Sequence, residues 1–181
     1  CTRHCRFCGV PKGRPSPIDP TEPVRIGETA ALMRLRHVVI TSVTRDDLED
    51  GGASQFAGTV AEVQRRIQEA TVETLIPDFQ GSLPALQTVI AAAPTVINHN
   101  MEVCARLFPQ LRPEGNYGRS LELLRRVREQ APAIITKSGF MIGLGEEKGD
   151  IRTLMEDLCV AGCQRLTIGQ YLQPTRNHWP V

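Results

Sequence analysis

The stretch "HVVITSVTRDDLEDGGASQFAGTVAEVQRRIQEATVETLIPDF" (37–79) carries two hydrophobic periods in one unbroken run. Its ends, "HVVITSV" (37–43) and "TVETLIPDF" (71–79), are short and rich in β-branched residues, as strands are. Between them "SQFAGTVAEVQRRIQEA" (54–70) sets Phe56, Val60, Val63 and Ile67 three and four residues apart, one apolar stripe of a helix. Strand, helix, strand in this order describes a crossover between parallel strands.

The alternation continues in both directions. Further strands are expected in "PTVINHN" (94–100), "IITKSGFMIGLG" (134–145) and "QRLTIGQYL" (164–172). Further helices are expected in "IGETAALMRLR" (26–36), "SLPALQTVIAAA" (82–93), "SLELLRRVREQA" (120–131) and "GDIRTLMEDLCVAG" (149–162). Ser54 and Ser120 are placed to cap two of these helices, and Gly162 to stop the last. The pattern predicts an α/β fold in a single domain over 1–181, with functional groups where the strands end. A complete eight-stranded barrel takes about 250 residues, so the expectation is a shortened one. "PKGRPSPIDPTEP" (11–23), with its prolines, reads as an extended connection within that domain.

Composition excludes several classes. Lysine plus arginine (21) nearly balance aspartate plus glutamate (20), and aromatic residues make up 4%. Neither a phosphate-binding surface nor a base-stacking platform is suggested, and no nucleic-acid or membrane partner is expected. The chain has no apolar run long enough for a transmembrane helix, and its first residues match neither a signal nor a transit peptide. Six cysteines in 181 residues are too sparse for a disulfide scaffold. Reduced thiols, a metal and a cytoplasmic setting follow.

Three of those cysteines open the chain in "CTRHCRFC" (1–8), spaced C-x3-C-x2-C. Thiolates bind soft metals. Structural zinc closes its tetrahedron with four ligands, and His4, adjacent to Cys5, is badly placed to be the fourth. Three thiolates on a four-iron cluster leave one iron without a protein ligand and open to a small molecule. Cys1, Cys5 and Cys8 are therefore the predicted metal ligands. Cys104, Cys159 and Cys163 are read as core cysteines.

Polar residues interrupt the later strands. In "NHNMEV" (98–103) alternation puts Asn98, Asn100 and Glu102 on one face and His99 on the other. Amide and carboxylate groups there suit the hydroxyls of a ribose. Lys137 lies inside an apolar strand and needs a partner or a lowered pKa. Alone it would permit Schiff-base chemistry, for which the three cysteines have no use. Asp46, Asp47, Glu49 and Asp50 crowd the end of the first strand, either at a binding site or as a solvated loop leading into a helix. Gln170 and Tyr171, at the last strand's end, are lesser candidates for a nucleotide base.

C-x3-C-x2-C with Phe7 before the last cysteine resembles the cluster loop of the radical S-adenosylmethionine (SAM) superfamily. Taken in order, "CTRHCRFC", "ITSVTRDDLEDGGA", "NHNMEV", "TKSGFMIGLGE" and "TIGQYLQPTRNHWPV" resemble the lipoyl synthase family across nearly the whole chain. The resemblance implies a partial (β/α)6 TIM-like barrel whose first strand is missing from this chain. It implies a [4Fe–4S] cluster on Cys1, Cys5 and Cys8, with SAM chelating the open iron and contacting Asn98, Asn100, Glu102 and Lys137. The implied reaction inserts two sulfur atoms at C6 and C8 of an octanoyl group. The implied partners are an octanoylated lipoyl-carrier domain, of a 2-oxoacid dehydrogenase E2 or the glycine cleavage H protein, and a reducing electron donor. Members of that family hold a second [4Fe–4S] cluster on a C-x4-C-x5-C group and a serine, ligands this chain lacks. It therefore reads as a central fragment truncated at both ends. The rival readings are another radical SAM sulfur transferase, such as a biotin synthase-like protein, and a non-catalytic zinc module.

Overall fold

The computed structural model describes residues 1–181. Its elements are α1 (Glu22–Leu32), β1 (His37–Thr41), α2 (Ala53–Arg66), β2 (Thr71–Leu75), a short 3₁₀ turn (Phe79–Gly81) and α3 (Leu83–Ala91). There follow β3 (Val96–Asn98), the single-turn α4 (Phe108–Leu111), α5 (Tyr117–Gln130), β4 (Ile135–Ile142), α6 (Lys148–Val160) and β5 (Arg165–Gln170). All five expected strands are present, β1 and β2 shortened at the carboxyl end and the other three at both ends.

The strands form one parallel sheet in the order β1-β2-β3-β4-β5. A doubly wound sheet reverses its strand order at a switch point; here it never reverses. Successive crossovers therefore travel one way round, as in a barrel wall, and β1 and β5 are left as free edges. Along β1, Val38 and Ile40 are buried, whereas His37, Val39 and Thr41 on the opposite, concave side are exposed. The core lies between the sheet and its helices, where Val60 and Val63 of α2, Val72 of β2, Val89 of α3, Leu124 of α5 and Leu158 of α6 are almost fully buried.

Helix ends depart from expectation in instructive ways. Helix α1 begins four residues before "IGETAALMRLR", because Asp19 accepts hydrogen bonds from the Thr21 backbone and hydroxyl and Pro23 fits the first turn. Ser54 does not cap α2; Asp50 does, accepting from the backbone N–H groups of Gly52 and Ser54. Asn116 caps α5, accepting from Arg119 N–H. Gly162, at φ 78°, follows the end of α6 as expected.

Ser120 lies inside α5, buried, and bonds His99 instead. His99 faces the helices, 1% exposed, with Nδ1 2.8 Å from the Ile76 carbonyl and Nε2 2.9 Å from Ser120 Oγ. A carbonyl only accepts, so Nδ1 carries the proton and Nε2 accepts from the serine hydroxyl. Burial, reinforced by the Arg112 charge, lowers the His99 pKa to about 4. The unfolded chain would therefore take up a proton near pH 6.5 that the folded one refuses. Stability should be constant in this respect above pH ~6.5 and fall by roughly 2 kcal/mol on acidification to pH 5. Urea unfolding between pH 5 and 7 should show this slope, and His99→Gln should remove it; an identical slope in the variant would contradict the assignment.

Candidate functional site

Residues 1–8 make a loop over the carboxyl ends of β1 and β2. Its base is Arg3, 3% exposed. Arg3 Nε lies 2.7 Å from Asp46 Oδ2, and Nη2 lies 3.0 Å from Asp46 Oδ1 and 2.5 Å from Asp78 Oδ1. Asp78 also receives Arg119 Nη1 at 3.2 Å. Burial works against both carboxylates, yet Arg3 holds each below the usual carboxylate range. Two acids on different strand ends thus share one arginine from the cysteine loop.

Backbone bonds complete the mounting. Thr2 N–H donates to the Thr44 carbonyl, Arg6 N–H to Leu111 and Cys8 N–H back to Cys5. His4 donates from its backbone to Glu114 and places Nδ1 2.8 Å from the same carboxylate. The chain's last residues strap across the loop: Trp179 N–H donates to the Arg6 carbonyl, and His178 Nε2 lies 3.1 Å from that of Cys8. Trp179 Nε1 reaches Leu144 at the end of β4.

Cys1, Cys5 and Cys8 are half-buried free thiols. Burial pushes the Cys5 thiol up, opposed by the neighbouring Arg112 guanidinium. No three His, Cys, Asp or Glu side chains converge tightly enough to hold a single metal ion. His4, 64% exposed and turned to Glu114, offers no fourth ligand. Cys104 is buried in the core as expected, and Cys163 is half-buried with its thiol toward the Arg165 carbonyl. Cys159 departs from expectation: it is exposed on α6.

The concave face of the sheet collects the other candidates. Asn98 Nδ2 donates to Glu73 Oε1 at 3.0 Å, while the buried Asn98 Oδ1 has no partner. Lys137, in register with Asn98, pairs with both Glu73 oxygens at 2.8 and 3.0 Å. Burial opposes ionisation of Glu73, but Lys137 and Asn98 keep it below the usual range. Asn100 lies over Gly139, whose missing Cβ would sit 2.8 Å from Asn100 Oδ1. Regular β3 stops at Asn98, and Glu102 is itself a left-handed residue (φ 67°), bridged to Phe140. Glu102 is half-buried, and burial raises its carboxyl against the pull of Arg112.

Sequence reasoning missed Glu73 as the partner of Lys137, although a single acid inside the β2 apolar run signalled it. It missed Arg3 and Asp78 altogether. Among the acids after β1, Asp46 holds Arg3, Asp47 holds Arg45 and Asp50 caps α2. Tyr171 is buried, its hydroxyl donating to the Trp179 carbonyl, and the Gln170 amide is turned to Ile142. A cavity of about 490 Å³ lies away from the cysteine loop, between the 15–19 segment, α1 and the start of α2.

Removing Arg3 would leave Asp78 buried without its main countercharge, which typically costs about 3–5 kcal/mol. Arg3→Met should lower the denaturation midpoint accordingly and expose the 1–13 segment to proteolysis, with Arg3→Lys intermediate because it cannot span both acids. A loss below about 1 kcal/mol would show that the ion cluster does not secure the loop.

Comparison with known proteins agrees with this architecture. The radical SAM superfamily model matches residues 1–158. Over all 181 residues the chain is 53% identical to a lipoyl synthase of Caldanaerobacter subterraneus subsp. tengcongensis and 52% identical to one of Bacteroides fragilis. It spans 63% and 62% of those proteins, somewhat under two thirds of their length. Among solved structures, Streptococcus suis SuiB bound to S-adenosylmethionine superposes with TM-score 0.76 at 12% identity, over 100% of this chain and 40% of that one. Methylornithine synthase (PylB) superposes with TM-score 0.70 at 13% identity, over 98% and 52%. At such identities these structures establish the fold, a partial barrel, and the family model establishes kinship: the chain belongs to the radical SAM superfamily.

Proposed function

We propose that the chain is the cluster- and SAM-binding part of a lipoyl synthase, which inserts two sulfur atoms at C6 and C8 of a protein-bound octanoyl group. The observation that carries this reading is the cysteine loop. Three free, half-buried thiols sit in eight residues, bolted to the ends of β1 and β2 through Arg3. The donor set suits a four-iron cluster with one open corner, since all three thiols come from one loop and His4 is engaged by Glu114. Identity above 50% to lipoyl synthases over the whole chain supports the specific reaction.

Cys1, Cys5 and Cys8 hold the cluster. When bound, it supplies the low-potential electron for reductive cleavage of SAM, the chemistry that reaches an unactivated C–H bond. The chain's own residues bind and orient. The unpartnered Asn98 Oδ1 is a buried acceptor in want of a donor, as a ribose hydroxyl would be. Gly139 keeps the wall low where Asn100 lies. Lys137 acts through Glu73: paired with both its oxygens, it orients the carboxylate that positions the Asn98 amide.

The partners are an octanoylated lipoyl-carrier domain, of a 2-oxoacid dehydrogenase E2 or the glycine cleavage H protein, and an electron donor that reduces the cluster. A second [4Fe–4S] cluster, the sulfur source, would need ligands outside residues 1–181, because Cys104 is core and Cys159 and Cys163 bring no third thiol. No helix is long and apolar enough to cross a membrane, and we place the reaction in the cytoplasm.

Anaerobic reconstitution of the full-length protein, followed by incubation with SAM, reductant and an octanoylated carrier, tests the proposal. Methionine, deoxyadenosine and a thiolated octanoyl product are expected, and Cys5→Ala should lose one cluster's iron and all deoxyadenosine. Deoxyadenosine without any thiolated product would overturn the lipoyl assignment, and tightly held zinc in place of iron would overturn the cluster. In the ligand-free protein, Glu73→Gln should remove a charge partner of half-buried Lys137 and lower stability by about 1–3 kcal/mol. Since the Glu73 carboxyl is held below its usual range, that difference should persist at neutral pH and shrink as pH falls through the folded-state pKa.

A further inference from the structure

The geometry points to Arg112 as a positioning residue of the cluster: its guanidinium supports the Cys5 thiolate and raises the potential at which the cluster accepts an electron. This inference rests on the assignment of Cys1, Cys5 and Cys8 as the cluster ligands.

The segment from Leu111 to Glu114 is tied to the loop on both sides of Cys5. Arg6 N–H donates to the Leu111 carbonyl at 2.9 Å, and His4 N–H reaches Glu114 at 3.1 Å. Arg112, half-buried, is carried past Cys5 by those two ties, and its charge opposes the burial that pushes the Cys5 thiol up. Its position is fixed from two other directions. Nη1 donates to the carbonyls of Asn100 and Met101 at 3.0 and 3.1 Å, and the guanidinium carbon stands 5.0 Å from the centre of the Phe108 ring. Arginine remains charged at any working pH, and its planar fork can serve several acceptors together.

One cation thus joins two regions far apart in sequence: the cysteine loop, and the Asn100–Glu102 turn after β3. Adding an electron makes a cluster more negative, so a fixed positive charge beside a ligand sulfur favours the reduced form. Hydrogen bonds to the sulfurs work in the same direction. Glu114, held on His4 by the same segment, acts with the opposite sign. The two residues are therefore an internal pair of controls, one expected to raise the potential and the other to lower it.

A redox titration of the reconstituted full-length protein, followed by electron paramagnetic resonance without SAM or octanoyl substrate, reads this directly. At a fixed potential near the midpoint, Arg112→Met should lower the ratio of reduced to oxidised cluster about tenfold, equivalent to ~59 mV for one electron. Arg112→Lys should fall between that variant and the parent, and Glu114→Gln should shift the ratio the other way. Equal potentials in Arg112→Met and the parent, or shifts of the same sign in Arg112→Met and Glu114→Gln, would overturn the inference. Should Arg112→Met not retain iron, Arg112→Lys and Glu114→Gln decide it: parental potentials in both would overturn it. A parent protein that takes up no four-iron cluster would instead defeat the ligand assignment beneath it, an outcome visible from iron and sulfide content before any titration.

Discussion

The buried arginine that bridges two acids is the constraint on which the site depends. A loop of eight residues with three free thiols has no hydrophobic core of its own and would otherwise sample many shapes. Arg3 removes that freedom by engaging Asp46 after β1 and Asp78 near the end of β2. Because those acids follow adjacent strands of a parallel sheet, the loop is anchored to the barrel wall. Asp78 is fixed in turn by Arg119 of α5 and by the backbone N–H of Gln80. Such an ion cluster contributes little net stability compared with apolar packing, but it specifies one geometry, and breaking it exposes a buried charge.

The two faces of the sheet divide the work. On the convex side, apolar residues of the strands pack against helices, and even the polar His99 is satisfied by Ile76 and Ser120. On the concave side, Glu73, Asn98 and Lys137 form one network across three adjacent strands, Asn98 in register with Lys137 and Glu73 two residues earlier on its strand. Asn98 shows the difference most clearly: its amide nitrogen is bound, but its buried oxygen is not. A group left in that state can take a further donor. Free thiols above and polar groups below thus frame the mouth of the partial barrel from two directions, with Arg112 between them.

Much of this was legible in the sequence because local pattern dictates it. The five strands follow from β-branched runs, and α2 follows from the spacing of Phe56, Val60 and Val63. The order of the strands, which separates a barrel wall from a doubly wound sheet, is set by long-range pairing and was inferred from length. Caps were misread where several polar residues stood near a helix start: Ser120 is inside α5, drawn to His99, and Asn116 caps that helix. Lys137 was identified as needing a partner, but Glu73 lies far back in the chain, and only the register of three strands joins them. Arg3 was hidden for the same reason, being unremarkable among 21 basic residues until Asp46 and Asp78 are brought to it. Cys159, read as core from its helical position, is exposed on α6.

The central claim is that the three thiols leave one iron accessible to SAM. Electron–nuclear double resonance on the reduced full-length protein, with SAM carrying ¹⁵N in its amino group and ¹⁷O in its carboxylate, measures that contact at the atoms concerned. The account predicts hyperfine coupling to both labels, as for ligands bound directly to the cluster. A reduced cluster that shows coupling to neither, with SAM present in excess, would contradict it.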